Sequence, residues 1–282
     1  MDRFMLNGAW QFRCTTDASW HPATVPGSVL SDMLANGMTE DPFWRENEYA
    51  ARDLFDQDYE YMRSFTVEDA LLGQDRLSLI CEGLDTLATV LINGTVVLQA
   101  DNMHRTWEAD VKEILHPGEN RIHVLFSSPN RYIREKYEQF PEGYVCTGVM
   151  AGNEHLRKAH YMFGWDWGPQ LPDCGIWKNI YLKAASGAEL WDVYPVQHHE
   201  YGKVTLDIQT AVSHLEEGSD AALTACLTSP SGETLSVTKK AKDSTTLTLT
   251  VDQPLLWWPN GLGEQPLYQL TVTLKENGQI RS

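Results

Sequence analysis

The sequence predicts an all-β chain built as two sandwiches, a jelly-roll β-sandwich over residues 1–186 and an immunoglobulin-like β-sandwich over residues 187–282. Three observations lead there. At 282 residues the chain is too long for one ordinary sandwich and about right for two. From Leu77 onward, short runs alternate apolar and polar positions, the period-2 pattern of half-buried strands. The texture then shifts at the small-residue joint Ser186-Gly187-Ala188, beyond which the runs are short and threonine-rich.

Taken in order, the first element is a helix over Ser28 to Asn36. It sets Val29, Met33 and Leu34 on one side and closes on Asn36-Gly37, a C-terminal cap. Leu77 to Ile80 and Thr86 to Ile92 are apolar runs of strand length. Asn93-Gly94 links the second of them to Thr95–Leu98, and Asn-Gly between two β-prone runs is a strong hairpin signal. That reading takes precedence over Asn93-Gly94-Thr95 as a glycan acceptor. Arg121 to Phe126 places Ile122, Val124 and Phe126 on one face, and Asn130 to Phe140, after Pro129, forms a short helix. Trp177 to Leu182 sets Ile180 and Leu182 against Tyr181. Past the joint, Val204–Val212, Ala221–Thr228, Thr234–Thr238, Thr245–Val251 and Leu267–Leu274 are strands with the spacing of an immunoglobulin-like sandwich. Glu276-Asn277-Gly278 opens one more hairpin, whose return strand is so short that the sandwich is expected to be truncated at its last strand.

Composition narrows the function. Lys and Arg number 22 against 39 Asp and Glu, a net charge of −17. Such a surface repels phosphate backbones and anionic membranes, so nucleic acid and membrane are excluded as partners, while a neutral sugar is indifferent to it. Ten tryptophans and eleven tyrosines suit pleated surfaces, so most are expected to be structural and a few to cover sugar rings. The cysteines Cys14, Cys81, Cys146, Cys174 and Cys226 are odd in number, widely spaced and without a Cys-x-x-Cys. That argues against a disulfide framework and against a zinc site, and reduced thiols fit a cytoplasmic setting. No leader-like or membrane-length apolar run is present in the sequence. His198-His199-Glu200 has metal-ligand residue types but lacks a third ligand, and no nucleophile elbow, phosphate loop or dinucleotide fingerprint occurs, so no metal and no cofactor is expected.

The densest unusual segment runs from Arg157 to Trp177. It holds Arg157-Lys158, then Phe163-Gly164-Trp165-Asp166-Trp167-Gly168-Pro169, then Gly175-Ile176-Trp177. Glycine and proline fix this backbone as a loop. One carboxylate between two indoles is the combination sugar recognition needs: the carboxylate accepts hydrogen bonds from neighbouring hydroxyls, and an indole covers the apolar ring face. An extended backbone would place Trp165 and Trp167 on one side and Asp166 on the other, whereas a kink at the glycines would turn all three to one pocket. The alternative is that both tryptophans fill the core and Asp166 caps a turn. Glycosidases use two carboxylates flanking the scissile bond, and none of Glu46, Glu48, Asp53, Asp56, Asp166 and Asp173 forms a pair whose spacing signals such a site.

At these residues the chain resembles the β-mannosidases of glycoside hydrolase family 2. Leu6-Asn7-Gly8-Ala9-Trp10, Val25-Pro26-Gly27-Ser28, Leu34-Ala35-Asn36-Gly37, Asp41-Pro42-Phe43 and Asn47-Glu48 follow the family pattern in order. Gly83-Leu84-Asp85-Thr86 with Asn93-Gly94 is similar to a family-wide strand pair. Leu256-Trp257-Trp258-Pro259-Asn260-Gly261 with Gln265-Pro266-Leu267-Tyr268 resembles the family's immunoglobulin-like domain. Trp165-Asp166-Trp167-Gly168-Pro169 points within the family to mannosidases; Trp44-Arg45 departs from the pattern. The resemblance implies a galactose-binding-like first domain and then a catalytic (β/α)₈ barrel carrying both catalytic carboxylates. Such a barrel needs about 250 residues of its own and is expected to be absent from this chain. No catalytic residue is therefore expected here. Asp166 is implied to bind hydroxyls of a terminal mannose, Trp165 and Trp167 to shape its pocket, and Lys158 to assist, in partnership with a β-mannoside glycan and the barrel of the same polypeptide. The rival readings are another family 2 glycosidase (β-galactosidase, β-glucuronidase or exo-glucosaminidase), a stand-alone carbohydrate-binding module, and a purely structural sandwich pair in which Asp166 does nothing for sugars.

Overall fold

The computed structural model describes residues 2–141 and 147–281, so Cys146 lies outside the described residues. The chain forms two compact units, Asp2–Ala184 and Ala185–Ser282.

The first unit is a sandwich. One sheet runs His21–Val25, Gly8–Cys14, Tyr59–Val67, Gly118–Phe126, Ala88–Ile92 and Thr95–Ala100 in spatial order. The other runs Asp2–Met5, Ile180–Ala185, Arg76–Cys81 and Trp107–Asp110. Both sheets feed one core that includes Phe12, Tyr61, Leu79, Val90, Ile122, Val124, Phe126 and Leu182. Ile122, Val124 and Phe126 share the buried face expected of them. The Asn93-Gly94 turn forms as read, with both residues at positive φ and Ile92 paired to Thr95. The Asn93 amide is engaged internally: it donates to Ile114 O and Asn120 Oδ1 and accepts from the Arg121 N–H.

Helices decorate the sandwich at α1 (Val29–Ala35), α2 (Asn47–Leu54), α3 (Asp69–Leu72) and α4 (Pro129–Gln139). Ser28 caps α1 in a box with Ser31, and Ser128 caps α4 with Pro129 at the first position, so both expected helices stand nearly as bounded. α2 was not foreseen. The strands before Leu77 were also not foreseen, because charged residues interrupt their alternation. Arg13 pairs with Glu60 at 2.6 Å across two neighbouring strands, and Arg63 donates to the carbonyls of Leu6 and Asn7. Tyr181 is buried along with its neighbours Ile180 and Leu182, so both faces of that strand are covered.

The second unit is a smaller sandwich. Its sheets are Glu189–Glu200, Lys203–Ser213 and Ser244–Asp252, and Thr234–Lys240, Ala221–Thr228, Gln269–Glu276 and Gln279–Ile280. Ala221–Thr228 alternates strictly, and Leu223, Ala225 and Leu227 meet Ile208, Leu247 and Leu274 in the core. Glu189–Glu200 is a strand that the sequence pattern did not place. It is mostly exposed and is formed by its ladder with Lys203–Ser213 rather than by an apolar face. The tryptophans depart from expectation: of the ten, Trp10 alone is fully buried, and seven (Trp44, Trp165, Trp167, Trp177, Trp191, Trp257 and Trp258) are exposed.

Candidate functional site

The segment singled out from sequence is a hairpin. Phe163–Trp165 pairs with Gly168–Gln170, leaving Asp166 and Trp167 as a two-residue loop. Its base is buried through Phe163, which packs with Ile133 and Leu156. Gly164 holds a φ of +95°, and a Cβ there would collide with the Gln170 side chain, so only glycine fits. At the tip the two indoles lie on the same side, stacked with ring centroids 5.0 Å apart and planes 13° from parallel. Trp165 is 38% exposed and Trp167 67% exposed, so neither fills the core, and the outer face of Trp167 is open to a ligand. Asp166 is exposed between them and makes no hydrogen bond or ion pair with any described residue. A bare carboxylate beside an open indole face matches a sugar's alternation of hydroxyl rim and apolar C–H face.

Lys158 is not brought to this surface. Its side chain is wholly buried, and Nζ donates to Asp85 Oδ2 and to the Asp173 carbonyl, both at 2.5 Å. The Asp173 carboxylate accepts from the backbone N–H groups of Leu30 at 3.1 Å and Cys174 at 2.7 Å. Burial pushes the Asp173 carboxyl up to about 6. The Ser28 hydroxyl, these two N–H groups and the Lys158 charge pull it back only in part. This knot ties α1, the Leu84–Asp85 strand and the loop after the hairpin together. Asp85 and Asp173 are enclosed, so no substrate reaches either carboxylate.

Sequence reasoning left Asn47 and Glu48 without a role, and the structure supplies one. The Asn47 amide donates to Asp41 O, and Asp41 Oδ1 accepts from the Phe43 N–H, which shapes the entry to α2. Glu48 Oε1 accepts the Gln170 N–H at 2.8 Å, while Arg52 Nη1 donates to Gln170 Oε1 at 2.8 Å. Glu48 and Arg52 are one helical turn apart on one face of α2, a spacing that sequence displays once the helix itself is known.

Among the described residues no cluster of His, Cys, Asp and Glu is arranged to hold a metal. His198 faces Asp207 at 3.2 Å and His199 faces Gln197, so the histidine pair is spent on strand neighbours. Burial raises the thiols of Cys81, to about 12, and Cys174, leaving both unreactive. The second unit carries a groove of about 560 Å³ framed by Leu255, Leu256, Trp257, Trp258, Leu267 and Tyr268. No carboxylate lines it, so it lacks the polar partner that sets the hairpin apart.

Comparison with known proteins gives this geometry its family. The description "Glycosyl hydrolase 2 galactose-binding domain-like" matches residues 10–178, and "Glycosyl hydrolases family 2" matches residues 188–282. The chain belongs to glycosyl hydrolase family 2. It is 32% identical over 284 residues to beta-mannosidase B of Emericella nidulans, and the match covers 96% of this chain and 33% of that protein. A probable beta-mannosidase of Caenorhabditis elegans is 28% identical over 303 residues, covering 98% and 32%. The crystal structure of a beta-D-mannosidase from Dictyoglomus thermophilum superposes with a TM-score of 0.90 at 32% identity, over all of this chain and 35% of that one. An exo-chitosanase from Amycolatopsis orientalis shares the fold, with a TM-score of 0.69 at 20% identity. The chain thus spans about a third of the length of the curated relatives it matches.

Proposed function

We propose that this chain is the non-catalytic amino-terminal region of a retaining exo-β-mannosidase, whose hairpin forms part of the pocket for a terminal mannose. The observation that carries the reading is the exposed Trp165–Asp166–Trp167 turn, a carboxylate with no partner among the described residues flanked by two stacked indoles. In this reading Asp166 accepts hydrogen bonds from two sugar hydroxyls and Trp167 covers a ring face, backed by Trp165. The nucleophile and the acid/base are carboxylates of a barrel in the same polypeptide. The enclosure of Asp85 and Asp173 supports the inactivity of this chain alone. The four described cysteines are unpaired, which supports a cytoplasmic setting, and the antiparallel first sandwich fits a jelly roll.

A panel of aryl β-glycosides tests this. A polypeptide extended to the length of the relatives is expected to cleave the β-mannoside faster than the β-galactoside, β-glucuronide or β-glucosaminide, and the 282-residue chain to cleave none. A preference for another glycoside, or hydrolysis by the short chain, overturns the reading. If instead the chain alone binds mannose tightly, it is a carbohydrate-binding module in its own right. The present reading expects millimolar affinity at best, because a partial pocket leaves the ordering cost unmet.

A further inference from the structure

We infer that Glu48 and Arg52 are positioning residues, which fix the orientation of the Trp165–Asp166–Trp167 turn through Gln170. The inference rests on the sugar-binding reading for its consequence, but its geometry stands apart from it.

Among the described residues, few groups hold the hairpin tip directly. Asp166 and Trp167 form no hydrogen bond with a described residue, and the indoles touch each other. Trp165 sits at a φ of +154°, a backbone region that residues with side chains rarely enter and that persists only where the surroundings enforce it. On the first strand Gly148 lies against Gly164 and Trp165, and the Met150 N–H donates to Phe163 O at 3.0 Å; on the second strand the enforcement comes through Gln170. Gln170 pairs with Phe163, and α2 grips it at both ends: Glu48 takes its backbone N–H and Arg52 takes its side-chain carbonyl. The Gln170 side chain in turn lies over Gly164, the residue next to Trp165. α2 is itself fixed. Ala51 packs with Leu171, Leu30 and Phe55, and the Arg52 carbonyl accepts from the Asn130 amide of α4. A rotation of α2 about Gln170 therefore turns the tryptophan pair and the carboxylate together. Glu48 and Arg52 reach the sugar only through Gln170, so they tune the fit of the pocket without touching it.

The stacked indoles provide their own reporter. The packed pair contributes a tryptophan band in circular dichroism, read as the difference between the parent chain and Trp167→Ala, whose amplitude falls when the rings lose their fixed packing. In the 282-residue chain, Glu48→Ala and Arg52→Ala are each expected to lose most of that band, with the melting temperature moving by about 4 °C or less. Glu48→Gln, which keeps an acceptor oxygen, is expected to restore it. A full band in both alanine variants overturns the inference. If Glu48→Ala does not fold, Arg52→Ala decides alone, since it breaks only a side-chain contact. The band reports the turn whether or not sugar binds, whereas the sugar reading fails separately, on glycoside hydrolysis by Asp166→Ala.

Discussion

Asp166 and Asp173 stand seven residues apart in one segment and meet opposite fates. Asp173 is enclosed, accepts two backbone N–H groups, neighbours a buried lysine and has its carboxyl pushed up to about 6. Asp166 is exposed at a hairpin tip and bonds to no described residue. The two carboxylates are chemically identical, so the difference lies in what surrounds them. One carboxylate is consumed in holding the fold together. The other bonds to no described residue, beside a Trp165 held at a φ of +154°, and in the proposed pocket it is the group that meets the sugar. Lys158 falls on the structural side of this division and the tryptophan pair on the other.

Removing Lys158 puts the largest strain on the comparison. Lys158→Met leaves the Asp85 carboxylate buried without its cation, and breaking such a pair costs about 3–5 kcal/mol. Urea unfolding of the chain is expected to show a loss of that size. A loss below about 1 kcal/mol would mean the knot is not structural.

The next effect is a pH dependence. Between 3.8 and about 6 the folded chain holds a proton on Asp173 that the unfolded chain has released. Asp173 therefore makes stability fall as pH rises through that window. Asp173→Asn cannot ionise, so its stability relative to the parent is expected to rise by roughly 2–3 kcal/mol from pH 4 to pH 6. Denaturation series at the two pH values read this directly, and a constant difference would remove the shift.

At the tip the effects on stability are small. Trp167→Ala loses a stacked pair worth about 0.5–1.5 kcal/mol, yet in the proposed pocket it removes the face that covers the sugar. Thermal melting measures the first effect and mannoside kinetics the second. The smallest effect separates the thiols. Cys226 is partly exposed and is expected to react with an aromatic disulfide reagent in the folded chain, while Cys81 and Cys174 wait for unfolding.

Sequence carried the parts of this comparison that leave a local mark. Ala221–Thr228 alternates without interruption, Asn93-Gly94 demands its turn, and Asn36-Gly37 closes its helix. The early strands were hidden because Arg13, Glu60 and Arg63 answer partners across the sheet, a long-range pairing that periodicity cannot register. The turn from Trp165 to Trp167 was legible as a cluster of sugar-binding residue types, and the stacking of its two indoles is compatible with either the extended or the kinked reading. Its support was not legible. Glu48 and Gln170 are 122 residues apart, and nothing near either one announces the other. Lys158 misled for a related reason: a lysine beside an aromatic loop looks available until the fold wraps Asp85 around it.

The central claim is that the free carboxylate at the tip is there for mannose. The direct test is Asp166→Ala in a polypeptide that includes the catalytic barrel, with kcat/KM measured on a β-mannoside and unfolding followed in parallel. Loss of charged hydrogen bonds to sugar hydroxyls predicts a fall of about tenfold or more with stability unchanged. A kcat/KM within about twofold of the parent would contradict the account and leave the hairpin as a surface ornament.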